Sequence, residues 1–179
     1  MVLTDDAKLA EKARSLRNLC FQANRRFYHE ELGFNFRLTN LQAALGVAQV
    51  QRIEEIVSRK RRMGEEYNRR LAGIMGLQLP VEEPWARNVY WMYGVVLSDE
   101  AGMDATVFGQ RLKQRGIETR PFFLGLHEQP VFHHGGLFLE ERYPVTERIA
   151  RQGLYLPSGL ALTSEQISQV CEAVNEVLT

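Results

Sequence analysis

Asn35 and Arg37 are the residues whose types and spacing most directly suggest chemistry. One residue separates them, and Phe34 and Phe36 flank and interleave them. In an extended segment both polar side chains therefore face one side. An amide N–H and a guanidinium fork together suit an anion, phosphate above all. The competing reading is a loop pinned by its own hydrogen bonds, and on spacing alone that reading leads. A second set is Asn24-Arg25-Arg26-Phe27-Tyr28, where two guanidiniums beside aromatic rings suit a diphosphate and a stacked base or sugar. As an ordinary surface loop the same residues would simply be solvated. Arg120 and His127 form a third set, in a segment whose Pro and Gly residues restrict the backbone. A single histidine is more often a structural hydrogen-bonding group than a catalyst.

Other patterns are excluded. His133-His134 lacks cysteine or carboxylate partners at ligand spacing, so no metal site is expected. The run Arg59-Lys60-Arg61-Arg62 is bracketed by Glu54, Glu55, Glu65 and Glu66, and reads as a charged helix face rather than a nucleic-acid track. The lysines are Lys8, Lys12, Lys60 and Lys113, each on a helix of ordinary amphipathic pattern, without sign of the desolvated pocket that activates an amine. There is no Gly-rich phosphate loop and no Gly-x-Ser-x-Gly elbow. Lys+Arg and Asp+Glu both total 22, which removes any global pull toward nucleic acid or membrane. Cys20 and Cys171 do not make a disulfide framework. No apolar run is long enough to span a bilayer and no signal peptide is visible, so the cytoplasm is the expected compartment.

The elements that must position these groups follow from periodicity. A helix is expected from Asp5 to Leu19 with Thr4 as N-cap, then an irregular stretch from Cys20 to Leu32. A long helix is expected from Thr39 to Ala72, with Leu41, Ala44, Leu45, Ala48, Ile53, Ile56, Met63, Tyr67 and Leu71 on one face, ending at Gly73 and Gly76. Beyond it, Leu77 to Leu79 and Val89 to Leu97 read as strands, and Asp104 to Arg115 as a helix with Val107, Phe108 and Leu112 inside. Arg120 to Phe123 reads as a strand end and turn, and Leu124 to Tyr143 as loop. Pro144 to Gln152 reads as a helix, Leu154 to Pro157 as a strand, and the segment from Thr163 as a closing helix. This order makes residues 76–179 a small α+β domain with one sheet covered by helices.

Several of these segments resemble, in order and spacing, the DegT-type PLP-dependent nucleotide-sugar aminotransferases. The motif from Gly33 to Asn40, with Gln42-Ala43-Ala44 and Gln49, is the most specific. Tyr90-Trp91-Met92-Tyr93, Glu118-Thr119-Arg120-Pro121, Leu126-His127 and Leu156-Pro157-Ser158 are similar in turn, as is the start at Val2-Leu3-Thr4-Asp5-Asp6. The Asn24 to Tyr28 loop resembles most the perosamine-forming branch, which aminates GDP-4-keto-6-deoxymannose at C4.

The resemblance implies the C-terminal part of a fold-type I enzyme. Residues 1–75 would be the tail of the large cofactor domain plus a long connecting helix, and 76–179 a small domain with a mainly antiparallel sheet. It implies pyridoxal 5'-phosphate as cofactor, glutamate and a nucleotide sugar as substrates, and a homodimer whose site is shared between subunits. Asn35 is similar to the residue that reaches the cofactor phosphate of the neighbouring subunit. Asn24, Arg25, Arg26, Tyr28, Arg37, Arg120 and His127 are similar to positions near the substrate. The Schiff-base lysine is expected ahead of Met1, so the chain by itself should be inactive. The alternative is a stand-alone, non-catalytic nucleotide-sugar-binding or interaction domain.

Overall fold

A computed structural model describes residues 2–25 and 27–179. The chain divides into two compact units, 1–53 and 54–179. The composition shift at Gly73 to Gly76 falls inside the second unit.

In the first unit, α1 spans Ala7–Arg17 and α2 spans Asn40–Gln51. The cap of α1 is Asp6 rather than Thr4. The Asp6 carboxylate accepts from the N–H groups of Lys8 and Leu9, while the Thr4 hydroxyl accepts from the Asp6 N–H at 3.1 Å. An ionised oxygen next to the positive helix end is the stronger cap. Thr39 and Gln42 close α2 with a reciprocal capping box. No residue of α2 is buried, and Leu41 is 82% exposed.

The expected long helix is interrupted at Arg52, which leaves helical geometry at φ −108° and ψ 12°. α3 then begins, spanning Ile53–Leu71. Glu54 and Glu55 sit in its first turn, where negative charge favours a fresh helix N-terminus over a continuing helix. Of the expected apolar face only Met63, Tyr67 and Leu71 are buried, all in α3.

The strands β1 (Leu77–Gln78), β2 (Tyr93–Leu97), β3 (Arg120–Pro121) and β4 (Gly153–Leu156) form an antiparallel sheet in the order β1-β2-β4-β3. β2 begins at Tyr93, not Val89, because Tyr90 adopts φ 47° and its N–H is taken by the Asn88 side chain at 2.8 Å. The helices are α4 (Ala105–Gln114), α5 (Pro130–His134), α6 (Pro144–Gln152) and α7 (Ser164–Leu178). α5 and a short 3-10 turn at Leu126–Glu128 lie within the stretch read as loop. Asp104 caps α4 through the Val107 N–H at 2.8 Å, and Val107 itself stays at the surface, 37% exposed, rather than inside.

Strand pleating sorts the sheet into two faces. Tyr93, Val95, Leu97, Leu154 and Leu156 turn toward one core with Tyr67 and Leu71 of α3, Phe108 and Leu112 of α4, and Ile167, Val170 and Val174 of α7. On the other face the cross-strand row is Gly94, Tyr155 and Arg120. There the Phe122 ring stacks on Tyr155 at 4.4 Å and crosses Gly94 and Gly153. A Cβ at Gly153 would meet that ring at 2.4 Å, so the site accepts only glycine without displacement.

Phe108 is fully buried at the centre of the core. Phe108→Ala is expected to destabilise the chain by about 3–5 kcal/mol. Urea denaturation monitored by circular dichroism measures it, and a loss below about 1 kcal/mol would show that the α4 packing is wrong.

Candidate functional site

In the first unit the chain turns back on itself so that Phe34 to Phe36 lies against the end of α1. The Phe34 N–H donates to the Leu16 carbonyl at 2.6 Å, the Leu19 N–H to Phe34 at 3.0 Å, and the Phe36 N–H to Arg17 at 3.1 Å. Gly33 permits this approach, since a Cβ there would come within 2.4 Å of the Cys20 nitrogen. Leu19 and Cys20 carry positive φ values of 62° and 51° at the same crossing. Cys20 is buried beneath it.

The resulting edge has two sides. Phe34 and Phe36 stack with centroids 5.1 Å apart and planes 4° from parallel. On the other side the Arg37 Nε donates to Asn35 Oδ1 at 3.3 Å. Both polar groups thus share one face, as the alternation requires, and both are exposed. This internal bond is also what the pinned-loop reading expects. It leaves the Asn35 amide and the outer guanidinium nitrogens as donors facing outward, a combination suited to an anion.

The 24–28 loop is self-paired: the Arg25 guanidinium lies 4.7 Å from the Tyr28 ring centroid. Asn24 is exposed beside them. Arg26 lies outside the described residues.

In the second unit Arg120 borders a cleft of about 410 Å³ whose walls include Trp91, Met92, Tyr155, Pro157 and Ser158. An exposed guanidinium in a cleft that also holds two aromatic residues, with Glu118 on its wall paired to Lys113, suits an anionic ligand that carries a flat or ring-shaped part. Trp91 and Tyr155 are site residues that the sequence reading does not name. The signal available for them was the motif surrounding each.

His127 does not line this cleft. It is buried, with Nε2 3.3 Å from Glu147 Oε1 and the Tyr143 ring edge-on at 4.8 Å. Glu147 also accepts from the Tyr143 N–H at 3.0 Å and from Arg142 Nη2 at 3.3 Å. The Tyr143 bond, then Arg142 and His127, hold its carboxyl below the usual range. His127 thus ties the 126–128 turn to α6.

The basic run is not simply a solvated face. Two i,i+4 pairs exist, Arg59–Glu55 at 3.6 Å and Arg61–Glu65 at 3.9 Å. Beyond them, Arg59 donates to the Leu160 carbonyl at 2.7 Å, Lys60 to the Ser158 carbonyl, and Arg61 to the Asn88 carbonyl and Glu82. Burial pushes the Lys60 ammonium below its ordinary value, so it is not the ordinary surface lysine its pattern suggests.

Residues 1–175 match the DegT/DnrJ/EryC1/StrS aminotransferase family, and the chain belongs to it. It is 34% identical to GDP-perosamine synthase of Caulobacter vibrioides over 179 residues, covering 99% of this chain and 47% of that synthase. The Vibrio cholerae GDP-perosamine synthase is 30% identical over 174 residues, covering 97% of this chain and 47% of that enzyme. S. venezuelae DesV, solved in complex with a ketimine intermediate, superposes with a TM-score of 0.80 at 31% identity, over 97% of this chain and 45% of DesV. The chain spans about half the length of the curated relatives it matches.

Pyridoxal phosphate is the cofactor of this family, and such enzymes hold it through a lysine. Among the described residues no lysine amine is placed for that. Lys12 pairs with Glu31 and Lys113 with Glu118, both at the surface, and Lys8 is exposed in the first turn of α1. Lys60 borders a cleft of only about 250 Å³, smaller than ordinary cofactor sites, and its amine is bound to Ser158. The residues present fit the edge of a phosphate site and not the anchor of the cofactor.

The Glu147 network sets a pH dependence. A carboxyl with a lowered folded value stabilises the fold fully above its ordinary 4.5, and that contribution is lost as pH falls through the folded value. Below pH 4.5 the wild-type chain is therefore expected to lose more stability than Glu147→Gln, measured as thermal midpoints across an acid series.

Proposed function

We propose that this chain is the C-terminal part of a PLP-dependent aminotransferase that moves an amino group from glutamate to C4 of a nucleotide-linked 4-keto-6-deoxysugar. The observation that carries this reading is the Asn35–Arg37 edge, held rigidly against α1 in a chain that matches the family over residues 1–175. The names of the most similar relatives favour a GDP-linked sugar and perosamine as product. A dTDP-3-amino-3,4,6-trideoxy-alpha-D-glucose transaminase of Streptomyces venezuelae, 32% identical over 176 residues, keeps other nucleotide sugars within the reading.

In the working protein, residues 1–75 belong with the cofactor domain and 76–179 form the small domain. Asn35 donates its amide to the cofactor phosphate across a homodimer interface, and Arg37 adds positive charge beside it. The Asn24 to Tyr28 loop and the Arg120 cleft bind the nucleotide sugar. His127 acts on substrate indirectly, by holding the 126–128 turn. When bound, pyridoxal phosphate supplies the electron sink for the amino transfer. Its lysine comes from polypeptide outside these 179 residues, so this chain alone does not turn over. The commitment of Lys12, Lys60 and Lys113 to other partners equally favours a second reading, a non-catalytic nucleotide-sugar-binding domain.

The test supplies pyridoxal phosphate, glutamate and GDP-4-keto-6-deoxymannose to the chain alone and to the chain co-expressed with a lysine-bearing cofactor domain of the family. Amino sugar is expected from the second mixture only, by mass spectrometry. In that mixture Asn35→Ala is expected to weaken cofactor binding by about tenfold, the effect of one hydrogen bond to a charged group. Product from the chain alone would overturn the reading. Nucleotide-sugar binding with no turnover in either mixture would favour the second.

A further inference from the structure

The two walls of the Arg120 cleft are both held from behind by α3, whose residues do not line it. One wall includes Pro157, Ser158 and Gly159, in the strip 157–160. Tyr67 Oη donates to the Pro157 carbonyl at 2.8 Å, Lys60 to Ser158, and Arg59 to Leu160 at 2.7 Å. Three donors from one helix thus reach three carbonyls in a stretch of four residues. The segment following β4 has no strand partner, so these donors replace the ladder it lacks.

The other wall includes Trp91 and Met92, at the end of the strip 88–92. Arg61 donates to the Asn88 carbonyl and pairs with Glu82 at 3.0 Å. The Tyr90 ring lies on Gly64, where a Cβ would meet it at 2.6 Å, and its hydroxyl accepts from Asn68 at 3.2 Å. Tyr90 is buried in this way, and the chain then delivers Trp91, 70% exposed, into the cleft.

We infer that Lys60, Arg61 and Tyr67 are positioning residues that fix the opening between Trp91 and Ser158, and through it the fit of a nucleotide sugar beside Arg120. The inference rests on the reading of this cleft as a substrate mouth. A long cationic side chain suits the task because it reaches past the helix surface and donates to a carbonyl without needing a shaped partner. Lys60 reaches the strip after β4 together with Arg59, and Arg61, about 100° further round the helix, reaches the strip before β2. The clustering of basic residues is then the sequence trace of two loops being held, not of a polyanion being bound.

Backbone amide order parameters by NMR test the clamp without any ligand. Wild-type residues 158–160 and 88–92 are expected near about 0.85, the value of rigid backbone. Lys60→Met should drop 158–160 below about 0.6, and Arg61→Met should do the same to 88–92, with α7 unchanged in both. Tyr67→Phe, which keeps the buried ring and removes only the donor to Pro157, should loosen 158–160 in the same direction should Lys60→Met not fold. Unchanged order in the addressed strip would overturn the inference.

A second readout is GDP-mannose titration, followed by Trp91 fluorescence in a Trp85→Phe background. Lys60→Met and Arg61→Met should weaken binding about fivefold, with Lys60→Arg restoring it, the effect of losing one ordinary hydrogen bond. Equal affinity in Lys60→Met and wild type would overturn the positioning role. Failure of the substrate reading looks different: Arg120→Gln would bind as well as wild type, and the order parameters would still decide the clamp.

Discussion

The second unit depends on the contact of one helix with one sheet through Tyr67. Its ring is fully buried and stacks on Tyr93 at 4.6 Å. Such a stack adds about 0.5–1.5 kcal/mol to what burial alone provides. Both phenols are desolvated enough to raise their ionisation well above the ordinary value, so they remain neutral hydrogen-bonding groups. Their hydroxyls are not orphaned: Tyr67 bonds Pro157, and Tyr93 bonds Asn68 at 2.6 Å. Burying two phenols is tolerable only because those partners exist. The partners in turn fix which backbone segments lie beside α3.

Around that contact, the two faces of the sheet do different work. The inner face is aliphatic and aromatic and carries stability. The outer row of Gly94, Tyr155 and Arg120 has no large neighbour at its glycine end, and Phe122 takes that space. A guanidinium at the edge of such a row is held by its strand rather than by a partner carboxylate. It therefore keeps its donors available to an incoming anion.

The first unit solves a different problem. It holds a polar edge, Asn35 and Arg37, by backbone hydrogen bonds to α1 and its C-terminal turn, and by a glycine at a point where the two segments touch too closely for a side chain. α2 then follows with no charged residue and no buried one. An amphipathic surface helix would show a polar face, and this one does not.

The sequence by itself determined the motif at Gly33 to Asn40, the starts of α2, α4 and α7, the order of strands and helices after Leu77 apart from α5, and the family. Each rests on local rules: a cap needs its oxygen two or three residues ahead, and a pleat or helix repeats every two or 3.6 residues. The tertiary structure alone decided the exclusion of His127 from the Arg120 cleft and the part taken by the basic run. Glu147 lies 20 residues from His127, and Ser158 lies 98 from Lys60. No local period links such pairs, because a long polar side chain takes whichever carbonyl or carboxylate the folded chain brings within reach.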